Sequence, residues 1–358
     1  MLKVLIVKMS SLGDVIHTLP AVTDAAKACP GIRFDWVVEP AFQEIPQWHP
    51  AVNRVYAVPV RYWRKNILST LAKGELKHFI SDIRQEKYDL VIDAQGLLKS
   101  ALVSMITKGP LTGLAKQSAR EPIASWFYQS KIILSKKQHA VEKVRQLFAQ
   151  ALGYTYDPGD LNYGIDKARL QPFPIAGEYV VFLHGTTWAT KHWPEYYWRQ
   201  LAEIHSAHGI KVLLPWGNAA EKLRAEQIQA HCQNKGFSIV PEVLPALNLS
   251  QIALVIGNAM GVVAVDTGLG HISAMMNVPT VSVYGPTYPG FTGSYGQNQS
   301  HMSVSTDCHP CFAKQCPIAK QGDQVYPPCF ASLPAEKVWQ VFKQQIITPR
   351  MLAVNAYG

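Results

Sequence analysis

Charge is scarce in this 358-residue chain: Asp, Glu, Lys and Arg make up only 16% of it, against 48% hydrophobic residues. That balance excludes an intrinsically disordered polymer, which needs much charge and little apolar material. Acid is scarcer than base, with 25 carboxylates facing 34 Lys and Arg for a net charge of +9. A membrane-spanning run is also missing. The uncharged tract from Leu244 to Val265 is broken by Asn248, Ser250, Gln251, Gly257, Asn258 and Gly261, a poor fit to about 20 apolar residues. No charged leader with an apolar core and a small-residue cleavage site opens the chain; Met1 leads straight into what reads as a core strand. These features predict a cytoplasmic globular protein, in which the six cysteines do not form structural disulfides. A G-x-G-x-x-G fingerprint and a Gly-Lys-Ser/Thr phosphate loop are both lacking after the first strand, which argues against dinucleotide binding and against a nucleotide-triphosphate loop there.

The length exceeds the usual single-domain range and predicts two domains of about 150 to 200 residues each. Charge is divided unevenly between them. Residues 1–150 hold 21 Lys and Arg against 12 Asp and Glu, whereas residues 151–358 hold 13 of each. The first part therefore carries the whole excess, which suits an anionic partner: nucleic acid, an acidic membrane surface or a polyanionic small substrate.

Apolar runs ending in polar turns recur along the chain: "VLIVKMSSLGD", "DLVIDAQG", "YVVFLHGTT", "KVLLPWGN", "GVVAVDTGLGH" and "TVSVYGPT". Helix-like stretches separate them. Continuous apolar strands alternating with helices predict parallel sheets covered on both faces, with ligands bound beyond the carboxyl ends of the strands, where the polar turns fall. The pattern occurs over residues 1 to about 110 and again from about 178 to 290, with a Gly-, Pro- and Asp-rich linker over 154–178 between them. The expected fold class is α/β, two Rossmann-like, doubly wound parallel-sheet lobes facing each other across a cleft. The expected domains are 1–165 and 166–332, and 333–358 is a closing helix carrying Val338, Val341, Phe342 and Ile346 at helical spacing.

Several stretches carry chemistry. In "SSLGD", Gly13 permits a tight turn and Asp14 stands at the start of a helix, either as its N-cap or as a carboxylate base able to take a proton from an acceptor hydroxyl. In "HGTTWATKHWPEYYW", Gly185, Thr186 and Thr187 offer donors suited to phosphate and Lys191 a point charge, before a helix opening at Pro194. At least one of Trp188, Trp193 and Trp198 is a packing residue. In "VDTGLGH", Asp266 ends a strand and Thr267, Gly268 and Leu269 enter a helix whose free N–H groups favour an anion; His271 is either part of this site or a core histidine. With Lys191 these residues make a diphosphate clamp, and Glu221 after "LLPWGN" is placed to accept hydrogen bonds from ribose hydroxyls. In the first lobe, Arg61, Arg64 and Lys65 are interleaved with aromatics, and Lys99 and Arg120 add to them. Such a set binds nucleic acid, phosphates or carboxylated sugars, or is simply a solvated face. Cys308, Cys311, Cys316 and Cys329 begin like a zinc ribbon but lack its compact second C-x2-C, leaving structural zinc and reduced thiols as the two readings.

Read in order, "VLIVKMSSLGDVIHTLPAVTDA", "FDWVVEPAFQEIPQWHPAV", "YDLVIDAQGLLKSAL", "AREPIASWFY", "KHWPEYYWR", "LPWG" and "VDTGLGHISA" resemble the ADP-heptose:lipopolysaccharide heptosyltransferase family from residue 1 to about 296. The N-terminal half is similar to members that add the first heptose, and segment 308–330 is more like the members that add the second. The resemblance implies a GT-B fold and an inverting, metal-independent reaction without a cofactor. It implies ADP-L-glycero-D-manno-heptose as donor and Kdo-lipid A as acceptor, with transient contact at the cytoplasmic leaflet of the inner membrane and no nucleic acid. By motif it places the base on Asp14. Donor contacts fall on Thr186, Thr187, Lys191, Glu221, Asp266, Thr267, Gly268, Leu269 and His271, and acceptor contacts on Ser11, Gly13, Arg61, Arg64, Lys65, Lys99 and Arg120. Lys191 would also stabilise the leaving diphosphate. The competing classes are a nicotinamide-dependent oxidoreductase, which would need a glycine-rich first turn, and a nucleic-acid- or zinc-binding module built on the basic half and the cysteines.

Overall fold

The structure is a computed structural model and describes residues 1–66, 69–70, 73–320 and 325–348. The chain divides into two compact units, Met1–Arg169 and Leu170–Gly358.

The first unit is built on strands β1 (Lys3–Val7), β2 (Arg33–Val38), β3 (Val52–Ala57), β4 (Leu90–Asp93), β5 (Leu111–Leu114) and β6 (Ser130–Ile132), all parallel, in the order β3-β2-β1-β4-β5-β6. The run Val4, Leu5, Ile6 and Val7 is wholly buried, because a strand in the middle of a parallel sheet is covered on both faces and cannot alternate apolar with polar. Its sheet neighbours are β2 on one side and β4 on the other, so the strand order reverses between β1 and β4, and the loops after these two strands flank one crevice.

On one face, helix Leu19–Ala28 packs against helix Ala140–Leu152. Between them Arg145 is fully buried, with its guanidinium on Asp24 at 2.7 and 3.2 Å and on the carbonyls of Asp157, Pro158 and Asp160. A buried charge is tolerable only when it is this fully bonded. The consequence for chain organisation is direct: the first part of the stretch expected as linker is clamped onto the first unit.

The second unit repeats the scheme with β7 (Val180–Leu183), β8 (Val212–Leu214), β9 (Glu242–Val243), β10 (Gly261–Val265), β11 (Thr280–Tyr284) and β12 (Gln299–Ser303), parallel in the order β12-β11-β10-β7-β8-β9. Counted from the start of each unit the strand order is the same. The reversal here lies between β7 and β10, so the turns after "VVFL" and "GVVAV" are the ones brought together. Trp193 and Trp198 belong to the core with Phe182 and Val265, whereas Trp188 remains partly exposed.

The closing segment forms helix Ala335–Phe342 and a further wide turn over Lys343–Ile347. Val338, Phe342 and Ile346 are buried as their spacing predicts, and Trp339 is buried with them in the core of the second unit, against helix Glu195–Ala207. Residues 349–358 of the expected closing helix, and 321–324 of the cysteine-bearing loop, lie outside the described residues.

Candidate functional site

In the first unit the chain leaves β1 into a turn held from the neighbouring strand. At the end of β4, Asp93 is fully buried, accepting the N–H groups of Gln95 and Gly96 (2.9 and 3.1 Å) and the Tyr128 hydroxyl (2.7 Å). Burial raises its carboxyl above the ordinary range against the pull of these donors. The turn so fixed presents Gln95, whose Oε1 accepts the N–H groups of Met9 and Ser10 (2.9 and 3.1 Å) while Nε2 donates to the Ser10 carbonyl at 2.6 Å. The loop bearing Asp14 is thus stitched across the crevice by a side chain 85 residues away.

Helix Leu12–Ile16 follows, with Ser11 as its N-cap and Asp14 at the third position. This corrects the N-cap reading: Asp14 closes a capping box, accepting the Ser11 N–H (2.9 Å) and hydroxyl (3.1 Å) on Oδ2, an arrangement that satisfies an otherwise unpaired backbone donor. Oδ1 faces the buried Lys8 ammonium at 3.7 Å, and Lys8 is anchored on the Ala94 carbonyl at 2.9 Å. Desolvation pushes the Asp14 carboxyl up, but Lys8, the two Ser11 bonds and Arg120 together outweigh it and leave the pKa below the usual carboxylate value. The side chain stays 32% exposed, so this anion is reachable from solvent.

Around it lie basic groups. Lys99 Nζ reaches the Ser10 hydroxyl at 3.4 Å, and its ammonium is lowered by burial and then by Arg61 and Arg64, whose charges stand close by. Helix Val60–Lys65 presents Arg61, Arg64 and Lys65, with the Arg61 N–H on the carboxylate of the buried Glu39 at 3.1 Å. Gly13 is buried within its short helix. The structure therefore gathers Ser11, Asp14, Lys99, Arg61, Arg64 and Arg120 about one loop. Lys65 is exposed at the end of its helix.

In the second unit the turn after β7 meets the turn after β10. The Thr186 hydroxyl donates to the Asp266 carbonyl at 2.9 Å. The Asp266 carboxylate accepts from Lys191 Nζ at 2.7 Å and from the Thr287 hydroxyl at 2.6 Å. Lys191 stands 4.6 Å above the Trp188 ring, a cation–π contact that helps fix an ammonium on a flexible stem. Thr267 is the N-cap of helix Gly268–Met275 and its side chain makes no capping bond; the first N–H groups of that helix are the free donors that attract an anion. Leu269 lies in the first turn, and His271, only 8% exposed, is packed one turn in.

Glu221 is placed by two devices. It sits in the first turn of helix Ala219–Asn234, where its own N–H is capped by the Asn218 side chain at 3.0 Å, and its Oε2 accepts the Gly217 N–H at 2.8 Å. Its carboxylate also rests directly on Gly185: a Cβ there would stand 2.5 Å from Glu221 Cδ. Sequence reasoning gave Gly185 only a donor role; the missing side chain is what makes room for the acid. Helix Glu195–Ala207 begins one residue later than expected, with Pro194 at its N-cap.

The four clustered cysteines are unpaired, and all four line one small cavity with Thr190, Gly285 and Pro286. Burial first, then the neighbouring Cys316, Cys308 and Cys311, push the Cys329 thiol up to about 11. Among the described residues no group of three or more His, Cys, Asp and Glu side chains is arranged to hold a metal ion.

Comparison with known proteins is decisive. The profile of glycosyltransferase family 9 (heptosyltransferase) matches residues 76–321. Lipopolysaccharide heptosyltransferase 1 of Pseudomonas aeruginosa is 49% identical over 360 residues, covering 98% of this chain and 100% of that protein. The chain belongs to glycosyltransferase family 9, the heptosyltransferases. Lipopolysaccharide heptosyltransferase 1 of Escherichia coli K12 is 50% identical over 300 residues, 83% of this chain and 92% of that one. The solved structure described as E. coli heptosyltransferase WaaC with ADP superposes with a TM-score of 0.83 at 43% identity, covering 96% of this chain and all of that one. The heptosyltransferase fold is the GT-B type, and its two Rossmann-like units are those described above. The Pseudomonas match, covering 98% of this chain, extends through the cysteine-bearing segment.

Proposed function

We propose that this chain transfers L-glycero-D-manno-heptose from ADP-heptose to a Kdo sugar of the lipopolysaccharide inner core on lipid A, adding the first heptose with inversion at the anomeric carbon. The observation that carries this reading is the pair of half-sites: an accessible carboxylate of lowered pKa among basic groups in one unit, and in the other a lysine, a free helix start and an acid held at Gly217 and Gly185. The first matches an anionic sugar with a hydroxyl to be deprotonated, the second a sugar attached to a nucleoside diphosphate. Near-half identity to relatives named heptosyltransferase 1 favours the first heptose over the second.

In the proposed reaction Arg61, Arg64, Lys65, Lys99 and Arg120 hold the carboxylate and phosphate groups of Kdo-lipid A, with Ser11 and Gly13 lining the base. Asp14 takes the proton of the Kdo hydroxyl as its oxygen bonds to the anomeric carbon, and the bond from that carbon to the diphosphate breaks on the opposite side. The lowered pKa keeps Asp14 ionised at neutral pH but makes it a weak base. Proton transfer therefore comes late, once the attacking oxygen has gained positive charge from the new bond and turned strongly acidic. Lys191 and the N–H groups of residues 267–269 receive the charge that builds on the leaving ADP, the kind of preorganised stabilisation worth about 10²- to 10³-fold per donor. Thr186, Thr187 and His271 complete the donor contacts, and Glu221 accepts from the ribose hydroxyls. Asp266 acts through Lys191, fixing its ammonium.

Among the described residues no helix is long and apolar enough to cross a membrane. Because the acceptor is lipid-anchored, the proposal places the working enzyme in the cytoplasm, peripheral to the inner leaflet, with the basic residues 1–150 turned to it. The test is ADP release from ADP-heptose with a chelator present, using Kdo-lipid A and, separately, the same acceptor already carrying one heptose. Release with the first alone supports the reading. Release with the second alone makes the chain a second-heptose enzyme, and release with neither overturns the proposal.

A further inference from the structure

Four exposed apolar side chains of the first unit lie together on two neighbouring elements. Helix Leu98–Met105 leaves Leu102 and Met105 51% and 54% exposed, and the short 3-10 helix Pro122–Phe127 leaves Ile123 and Trp126 41% and 70% exposed. Each pair is three residues apart. That spacing puts Leu102 and Met105 on one face of an α-helix, and it eclipses Ile123 with Trp126 in a 3-10 helix, which has three residues per turn. The two elements pack against each other, and Glu121 joins them by accepting the Leu98 N–H at 2.7 Å. Single exposed apolar residues are ordinary, but an aromatic and three aliphatics on two joined elements need a reason.

Charge supplies it. Residues 94–141 hold seven Lys and Arg and one acid, Glu121, whose carboxylate is engaged on the Leu98 amide. Lys99 and Arg120, assigned above to the acceptor, are next in sequence to Leu98 and Glu121. An apolar tip that carries a Trp, set in a basic surround, is the composition that settles into the headgroup layer of an anionic bilayer.

We propose that Leu102, Met105, Ile123 and Trp126 form a membrane-docking patch that inserts shallowly into an anionic phospholipid leaflet and sets the basic acceptor residues at the headgroup level. This deepens the proposed function by naming the surface that meets the membrane. Binding to plain lipid needs neither donor nor acceptor, so the patch is testable even if the reaction assigned above fails.

The experiment is flotation of the full chain with vesicles of phosphatidylethanolamine and phosphatidylglycerol, and with vesicles of phosphatidylcholine alone. The parent, Trp126→Ser/Ile123→Ser and Leu102→Gln/Met105→Gln are compared, and turnover is measured on an acyl-free Kdo acceptor. All four residues are exposed, so the variants keep the fold. The parent is expected to float with the anionic vesicles and not with phosphatidylcholine. Each double variant is expected to lose about 10-fold or more in partitioning, since interfacial binding scales with buried apolar area, while keeping parental turnover on the soluble acceptor. Parental flotation by both variants, or no flotation by the parent, overturns the proposal. So does a patch variant that breaks up a lipid-free oligomer, which would make the patch an interface between copies of this chain.

Discussion

In the first unit the short helix after the leading strand carries a carboxylate, Asp14, that is 32% exposed and backed at 3.7 Å by a lysine with only 7% exposure. In the second, the corresponding pair is Lys191 and Asp266, in contact at 2.7 Å with 16% and 11% exposure. One strand order thus presents two Lys–Asp pairs at equivalent reversal points, but the looser pair turns its acid outward and the tighter one locks its cation in place. The sheets do not set this difference. It comes from which residue stands at the strand end and which on the following turn: Lys8 closes β1 and lies under the sheet crevice, whereas Asp266 closes β10 and holds a lysine reached from another loop. A parallel sheet supplies the crevice, and under the proposed function the residues at its lip decide between taking a proton and holding an anion.

The comparison breaks most sharply at the acid. Asp14→Ala should lower turnover by about 10² to 10⁴, the range for loss of a general base; turnover close to parental in steady-state ADP release would remove the base from the account. Lys191→Ala should cost about 10² to 10³ in kcat/KM, since the ammonium meets charge that grows toward the transition state, with KM for ADP-heptose rising as kcat falls. Unchanged donor kinetics would show that the pair with Asp266 is only structural.

Lys8→Met sharpens the comparison through pH. Lys8 is the strongest of the influences that lower the Asp14 carboxyl against desolvation. Without it the pKa rises, and because the proposed mechanism uses the ionised form, the acid limb of the kcat/KM profile is expected to move to higher pH. An acid limb that stays in place would show that Lys8 does not tune the base. The smallest effect belongs to Gly185→Ala. Its backbone does not adopt positive φ, and the atoms a methyl would strike are the far end of the Glu221 side chain, so the fold should survive with an unchanged melting temperature while the carboxylate is displaced. The expected outcome is a rise of about 3- to 10-fold in donor KM with little change in kcat. It should be accompanied by weaker discrimination between ADP-heptose and an analogue lacking the ribose hydroxyls; a parental KM would free Gly185 from this role.

What could be read in the sequence was whatever lies close along the chain. The apolar runs became the buried central strands, and the polar residues that end them became the lips of the two crevices, because strand, turn and helix start are local. The supporting residues were not legible. Gln95 holds the Ser10 loop and Asp93 holds Gln95, a relay across two strands that no spacing announces. Lys8 read as one more strand residue, and only its burial beside Asp14 shows its use. Arg145 sits in an ordinary helical pattern, yet it pins the residues expected as linker. Nor could the sequence tell which of three tryptophans packs: Trp193 and Trp198 follow the core-facing side of their segment, while Trp188 sits on the turn beneath Lys191.

The most direct test of the division of labour is equilibrium titration of ADP-heptose into Asp14→Ala and Lys191→Ala side by side, without acceptor. The account predicts that Asp14→Ala binds the donor as tightly as the parent although it hardly turns over, and that Lys191→Ala binds it clearly more weakly. Donor affinity lost with Asp14 and kept without Lys191 would contradict it.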